Sequence, residues 1–121
     1  MRYNTVLNIA MAFDLVNDFV CQQIVALRSQ MNTILGNEFP IICGEFTQPW
    51  MTKNKEACDA VLTAMKRVLE NDGYGTVVSS EGAEVNDEAT GNGDILHFSR
   101  NGIHLLGRRY FEAFEKLTKN K

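Results

Sequence analysis

A short apolar run set between two long stretches of helical periodicity is the feature that most restricts how this chain folds. Pro40-Ile41-Ile42-Cys43-Gly44-Glu45-Phe46 is too short for a helix, and its apolar residues are consecutive. Such a run predicts a strand covered on both faces, as in a parallel sheet. Parallel strands need a crossover helix between them. Ala57, Val61, Leu62, Met65, Val68 and Leu69 recur at helical spacing and predict that helix over 53–71. Asn71-Asp72-Gly73 ends it, and Tyr74-Gly75-Thr76-Val77-Val78 predicts a second short strand.

The flanks extend the alternation. Phe13, Val16, Val20, Ile24, Leu27, Met31 and Ile34 form one stripe and predict a helix over 12–35, stopped by Gly36-Asn37. Residues 3–10 either add a strand or lengthen that helix. Ser99 is placed to cap a last helix, with Ile103, Leu106, Tyr110, Phe114 and Leu117 as its inner face. Gly102 and Gly107 would let it approach a sheet closely. The stretch from Ser79 to Asp94 holds five acidic residues and no lysine or arginine, and it predicts a loop. A loop of that length points to a functional segment or an irregular excursion. The order is helix, strand, helix, strand, loop, helix. It predicts an α/β domain over 1–121, with fewer strands than a complete sheet needs.

Composition excludes several partners. With 12 basic against 15 acidic residues and a net charge of −3, no basic patch longer than Arg108-Arg109 is present, so nucleic acid is not an expected partner. No stretch reaches the roughly 18 apolar residues that cross a membrane. The N-terminal residues carry one arginine, a broken apolar run and no clean cleavage site, so no signal peptide is expected. A soluble chain is expected, cytoplasmic or virion-associated. Cys21, Cys43 and Cys58 include no Cys-x-x-Cys pair, and they read as buried free thiols without zinc.

Two histidines remain as candidates for proton transfer. His97 falls on a loop just before the last helix, three residues after Asp94. In a tight turn that spacing lets the carboxylate reach the Nδ1–H, fix the tautomer and leave Nε2 as a general base. His104 lies within the last helix and reads as a partly buried structural residue. Glu45 and Trp50 follow the first strand, where ligands sit in open α/β sheets. Of the serines, Ser79 and Ser80 follow the second strand directly, but no Gly-x-Ser-x-Gly elbow is present, and Ser99 is explained as a cap. No metal-ligand spacing stands out.

The run Asp94-Ile95-Leu96-His97-Phe98-Ser99-Arg100-Asn101-Gly102, followed by Leu106-Gly107-Arg108-Arg109-Tyr110, resembles the C-terminal block of SGNH (GDSL-type) hydrolases. It is most similar to the branch of sialate O-acetylesterases and related carbohydrate acetylesterases. Ile41-Ile42-Cys43-Gly44-Glu45 and Ser79-Ser80-Glu81-Gly82 stand in the matching order, so the resemblance covers about residues 20–117. It implies a flavodoxin-like three-layer α/β/α sandwich with a parallel sheet. It makes Asp94 and His97 the last two members of a Ser-His-Asp triad. It implies an O-acetylated carbohydrate, such as a sialic acid or polysaccharide, as substrate, and neither cofactor nor metal.

The family's serine-bearing turn, and the glycine and asparagine of its oxyanion hole, are not found in this sequence. Asn86 stands too late in the order to be that asparagine. The resemblance therefore implies the C-terminal portion of the domain. The nucleophile would come from a missing N-terminal half or a partner chain. The other readings are a non-catalytic carbohydrate-binding or structural module, for example a phage tail component, in which Phe46, Trp50 and Tyr74 stack on sugar, and an unrelated small α/β domain.

Overall fold

The computed structural model describes residues 2–36 and 38–119, with the helical backbone alone over 2–14. The elements run α1 (Arg2–Leu35), β1 (Ile41–Gly44), α2 (Gln48–Lys53), α3 (Lys55–Asp72), β2 (Gly75–Val78), α4 (Asn86–Thr90) and α5 (Arg100–Thr118). The fold is mixed α/β and mostly helical. β1 and β2 pair in parallel, with Ile41 opposite Gly75 and Gly44 opposite Val78, and α3 makes the crossover.

A two-stranded ladder is not stable alone, so the helices must hold it. Alternate strand residues point to opposite faces and build two clusters. On one face Ile41, Cys43 and Val77 meet Val20, Ile24 and Met31 of α1 and Met65, Val68 and Leu69 of α3. On the other, Ile42 and Val78 meet Leu105, Leu106, Tyr110 and Ala113 of α5, with Ala83 and Phe98 beside them. Burying each large aliphatic contributes roughly 1.5–3 kcal/mol.

A polar staple fixes the opposite end of the ladder. Arg28 on α1 donates through Nε to Oδ1 of Asp72 at 2.9 Å and through Nη2 to Oδ2 at 2.7 Å. It also donates to the carbonyls of Tyr74 and Phe39, and its guanidinium lies 5.7 Å from the Tyr74 ring centre. The Asp72 carboxylate raises the Arg28 pKa in turn.

Several expectations are corrected. Of the two readings of residues 3–10, the strand falls and the extension of the first helix holds: they belong to α1. Gln48-Pro49-Trp50 is not a loop but the start of α2: Thr47 caps it, and proline in the first turn costs no hydrogen bond. The stretch after β2 contains α4. On α5, Ile103 is 57% and Phe114 43% exposed, and His104 is exposed rather than partly buried. The inner face is instead Gly102, Leu106, Tyr110 and Ala113. The reason is steric. Gly102 presses on the Glu84 carbonyl, where a Cβ would clash, and this contact turns the helix. Gly107 faces open space, so it makes no close approach to the sheet. Leu27, Ile34 and Ala57, expected on inner faces, are exposed. Cys58 is buried, while Cys21 and Cys43 are half-buried; all three are free thiols. The side chain of Phe13 and the whole of Asn37 lie outside the described residues. No helix among the described residues is long and apolar enough to cross a membrane.

Candidate functional site

The segment between β2 and α5 folds into a hairpin-like clasp. After a turn at Glu81-Gly82, residues 84–87 run beside 94–99 in the opposite direction. Ser99 N donates to the Glu84 carbonyl at 2.9 Å, Asn86 N to His97 O at 3.1 Å, and Asp87 N to Asp94 O at 2.9 Å. An antiparallel bridge joins Val85 and Phe98. Between these arms α4 makes little more than one turn. It is closed by Gly91 in the left-handed region at φ 70°, a conformation glycine adopts without steric cost.

The clasp delivers Asp94 and His97 together. Nδ1 of His97 lies 3.1 Å from Oδ2 and 3.2 Å from Oδ1 of Asp94. Oδ1 also accepts from the backbone amides of Leu96 at 3.0 Å and His97 at 3.1 Å. Oδ2 accepts from Nδ2 of Asn86 at 3.0 Å. The Asn86 amide is the main cause holding the Asp94 carboxyl down at about 2; partial burial opposes it, and the His97 and Leu96 donors add to it. Asp94 is thus an anion that can only accept, so the proton of a neutral His97 sits on Nδ1. Nε2 is left with its lone pair. The His97 side chain is 70% exposed, which leaves Nε2 free to take a proton from a hydroxyl brought to it.

Two anchors tie the clasp to its surroundings. Ser99 Oγ accepts from Gly102 N at 3.2 Å, as a cap of α5, and donates to Oε1 of Glu84 at 2.7 Å. Thr47, 1% exposed, donates through Oγ1 to the Ile95 carbonyl at 2.5 Å and accepts from Trp50 N at 3.2 Å. The Asp94–His97 turn is thereby fastened to the segment leaving the C-terminal end of β1.

Glu45 and Trp50 both follow β1. Oε1 of Glu45 accepts from Ser80 N at 2.9 Å, and Oε2 lies 3.8 Å from Nζ of Lys66, so this carboxylate joins the ends of the two strands. It also lines an open groove with Gln48, Met51, Lys55 and Thr63. Trp50 does not line that groove, and neither Asp94 nor His97 does. Among the described residues, neither Glu45 nor Trp50 hydrogen-bonds to the histidine–aspartate pair. Ser80 is fully buried, donating to Phe46 O at 2.5 Å and accepting from Nε2 of Gln48 at 3.0 Å, so it is a structural residue. Oγ of the exposed Ser79 accepts from Glu81 N at 3.1 Å. No group of three or more metal-ligating side chains occurs among the described residues.

Sequence reasoning passed over Thr47, Glu84 and the structural part of Asn86. Thr47 had a usable signal, because a threonine two residues before proline opens many helices. The other two act through a clasp built on a five-residue helix, too short to show periodicity. No family model, curated protein or solved structure matches the chain.

Proposed function

We propose that this chain supplies the histidine–aspartate half of an SGNH-type carbohydrate O-acetylesterase, with a flavodoxin-like sandwich completed by the half that carries the serine. The observation that carries this reading is the 3.1 Å contact between Nδ1 of His97 and Oδ2 of Asp94, on a turn fastened beyond the C-terminal end of β1. Open α/β sheets bind their ligands at that end. The helices covering both faces of the parallel pair fit the same architecture.

In the proposed reaction Nε2 of His97 takes the proton of the serine hydroxyl as its oxygen attacks the acetyl carbonyl. Asp94 stabilises the imidazolium that forms. The imidazolium returns the proton to the departing sugar oxygen, leaving an acetyl-serine. Water then attacks with His97 again as base, the imidazolium returns that proton to the departing serine oxygen, and acetate is released. The donors that stabilise the oxyanion would come from the serine-bearing half.

Native mass spectrometry on the assembly from its source comes first, followed by p-nitrophenyl acetate turnover. A second polypeptide carrying a Gly-x-Ser turn and an active assembly are expected. His97→Ala in that assembly should lower turnover by at least about 1,000-fold. Unchanged turnover would overturn the assignment, and saccharide binding without acetate release would favour a binding module.

A further inference from the structure

A histidine–aspartate pair works only if the carboxylate stays turned toward the imidazole. Two backbone amides, of Leu96 and His97, hold Oδ1 of Asp94. They belong to the turn that Asp94 itself begins, so they move with it. Among the described residues Oδ2 has one donor from outside that turn, the Nδ2 amide of Asn86. Asn86 is in turn fixed independently of its side chain. Its own backbone N–H binds His97 O at 3.1 Å, and the next amide, of Asp87, binds Asp94 O at 2.9 Å. The side chain is half-buried, and it reaches the same oxygen that lies 3.1 Å from Nδ1 of His97.

We propose that Asn86 is the positioning residue of the pair: its Nδ2 amide pins Oδ2 of Asp94 so that the carboxylate faces Nδ1 of His97 and keeps the proton on that nitrogen. Among the described residues the Asn86 side-chain amide donates to Asp94 and makes no hydrogen bond to the His97 ring, so it acts through Asp94. Asparagine suits the place. A hydroxyl is too short to span from the same backbone, and an aspartate would set like charges side by side. The kinetic part of this inference rests on the proposed esterase reading; the geometric part does not.

The test uses the isotope-labelled full chain. Nitrogen-15 shifts of the imidazole report which nitrogen carries the proton, and the carboxyl carbon of Asp94 reports its titration. The wild type should show His97 protonated at Nδ1, an Asp94 midpoint of about 2 and an Asn86 side-chain amide slow to exchange. Asn86→Ala should move the Asp94 midpoint up by about one unit or more and let the other imidazole tautomer appear. Asn86→Asp keeps the shape and should move the midpoint further. It decides the matter if the alanine variant does not fold. An Asn86 amide that exchanges freely in the wild type would overturn the proposal, as would unchanged tautomer and midpoint in both variants. In the active assembly Asn86→Ala should lower kcat roughly tenfold with KM unchanged, the scale at which supporting hydrogen-bond partners act at other sites. If His97→Ala leaves turnover intact, the esterase reading fails, and the spectroscopic outcome still decides the role of Asn86.

Discussion

The hydroxyl of Thr47 lies 2.5 Å from the carbonyl oxygen of Ile95, joining two segments 48 residues apart in sequence. Thr47 directly precedes α2, and Ile95 follows Asp94. One side chain, buried at 1% exposure, thus sets the height of the histidine–aspartate turn above the sheet and caps a helix as well. A hydrogen bond across that many residues closes a large loop, so it is made only when the whole layer is in place.

Thr47→Val removes both bonds while keeping the shape. It should cost about 2 kcal/mol, the sum of a lost cap and a carbonyl left without its donor. Amide exchange over 95–98 should speed up in Thr47→Val and stay slow in Thr47→Ser. Equal protection in the two variants would show that another contact holds the turn.

Two glycines on α5 should respond to the same substitution with opposite signs. A Cβ at Gly102 runs into the carbonyl oxygen of Glu84, whereas a Cβ at Gly107 meets nothing within 4 Å. Gly102→Ala should destabilise by about 1–3 kcal/mol through overpacking against the backbone. Gly107→Ala should stabilise by about 0.5–1 kcal/mol, because alanine loses less backbone freedom in a helix. Urea midpoints of the two variants, measured side by side, check both signs.

The parallel ladder and its crossover could be read from the sequence because consecutive apolar residues and helical spacing are local signals. The Asp94–His97 contact could be read for the same reason: a spacing of three in a turn puts the two side chains within reach of each other, while the Asn86 amide that holds the carboxylate comes from another segment. The facing of α5 could not. Ile103, Leu106, Tyr110, Phe114 and Leu117 form a good stripe, yet the buried side is set by Gly102 against Glu84, a contact between segments that the hydropathy pattern does not connect. The bond that holds Glu45 was illegible for a related reason. Position after a strand suggests a ligand, but the buried Ser80 amide takes Oε1 of Glu45 for a structural purpose.

The Arg28–Asp72 staple is mostly buried, with the two side chains 13% and 14% exposed. Arg28→Ala would leave the Asp72 carboxylate and the Tyr74 carbonyl without this donor. A loss of about 3 kcal/mol is expected. Arg28→Lys should recover only part of it, since an ammonium cannot pair with both carboxylate oxygens in the planar fork. Chemical denaturation of the two variants gives the comparison.

The acid limb of stability should carry a signature of Asp94. Its carboxyl lies at about 2 in the fold against an ordinary 3.8. The folded state therefore binds fewer protons than the unfolded chain between those values. The stabilisation is complete above 3.8 and is lost as the pH falls through about 2. The difference in stability between wild type and Asp94→Asn should shrink as the pH falls from about 4 through about 2. A difference that shrinks already near neutrality would place the titration on another group.

The outer face of α5 makes the last prediction. Ile103 is 57%, Phe111 60% and Phe114 43% exposed, and helical spacing sets them along one side. A helix that buries only one stripe is ordinarily polar on the other. Here the inner stripe of Leu106, Tyr110 and Ala113 is already used against the sheet, so the outer one is surplus to the fold of this chain. If so, Ile103→Ser and Phe111→Ser should change the stability of the isolated chain by no more than about 0.5 kcal/mol, the range of surface substitutions. Both should lower the fluorescence of a hydrophobic dye bound to it. On the proposed reading they should also weaken association with the serine-bearing half, with His97 and Asp94 left in their wild-type geometry. A loss of 2 kcal/mol or more, about the value of a buried side chain, would mean that the stripe is covered within the chain itself.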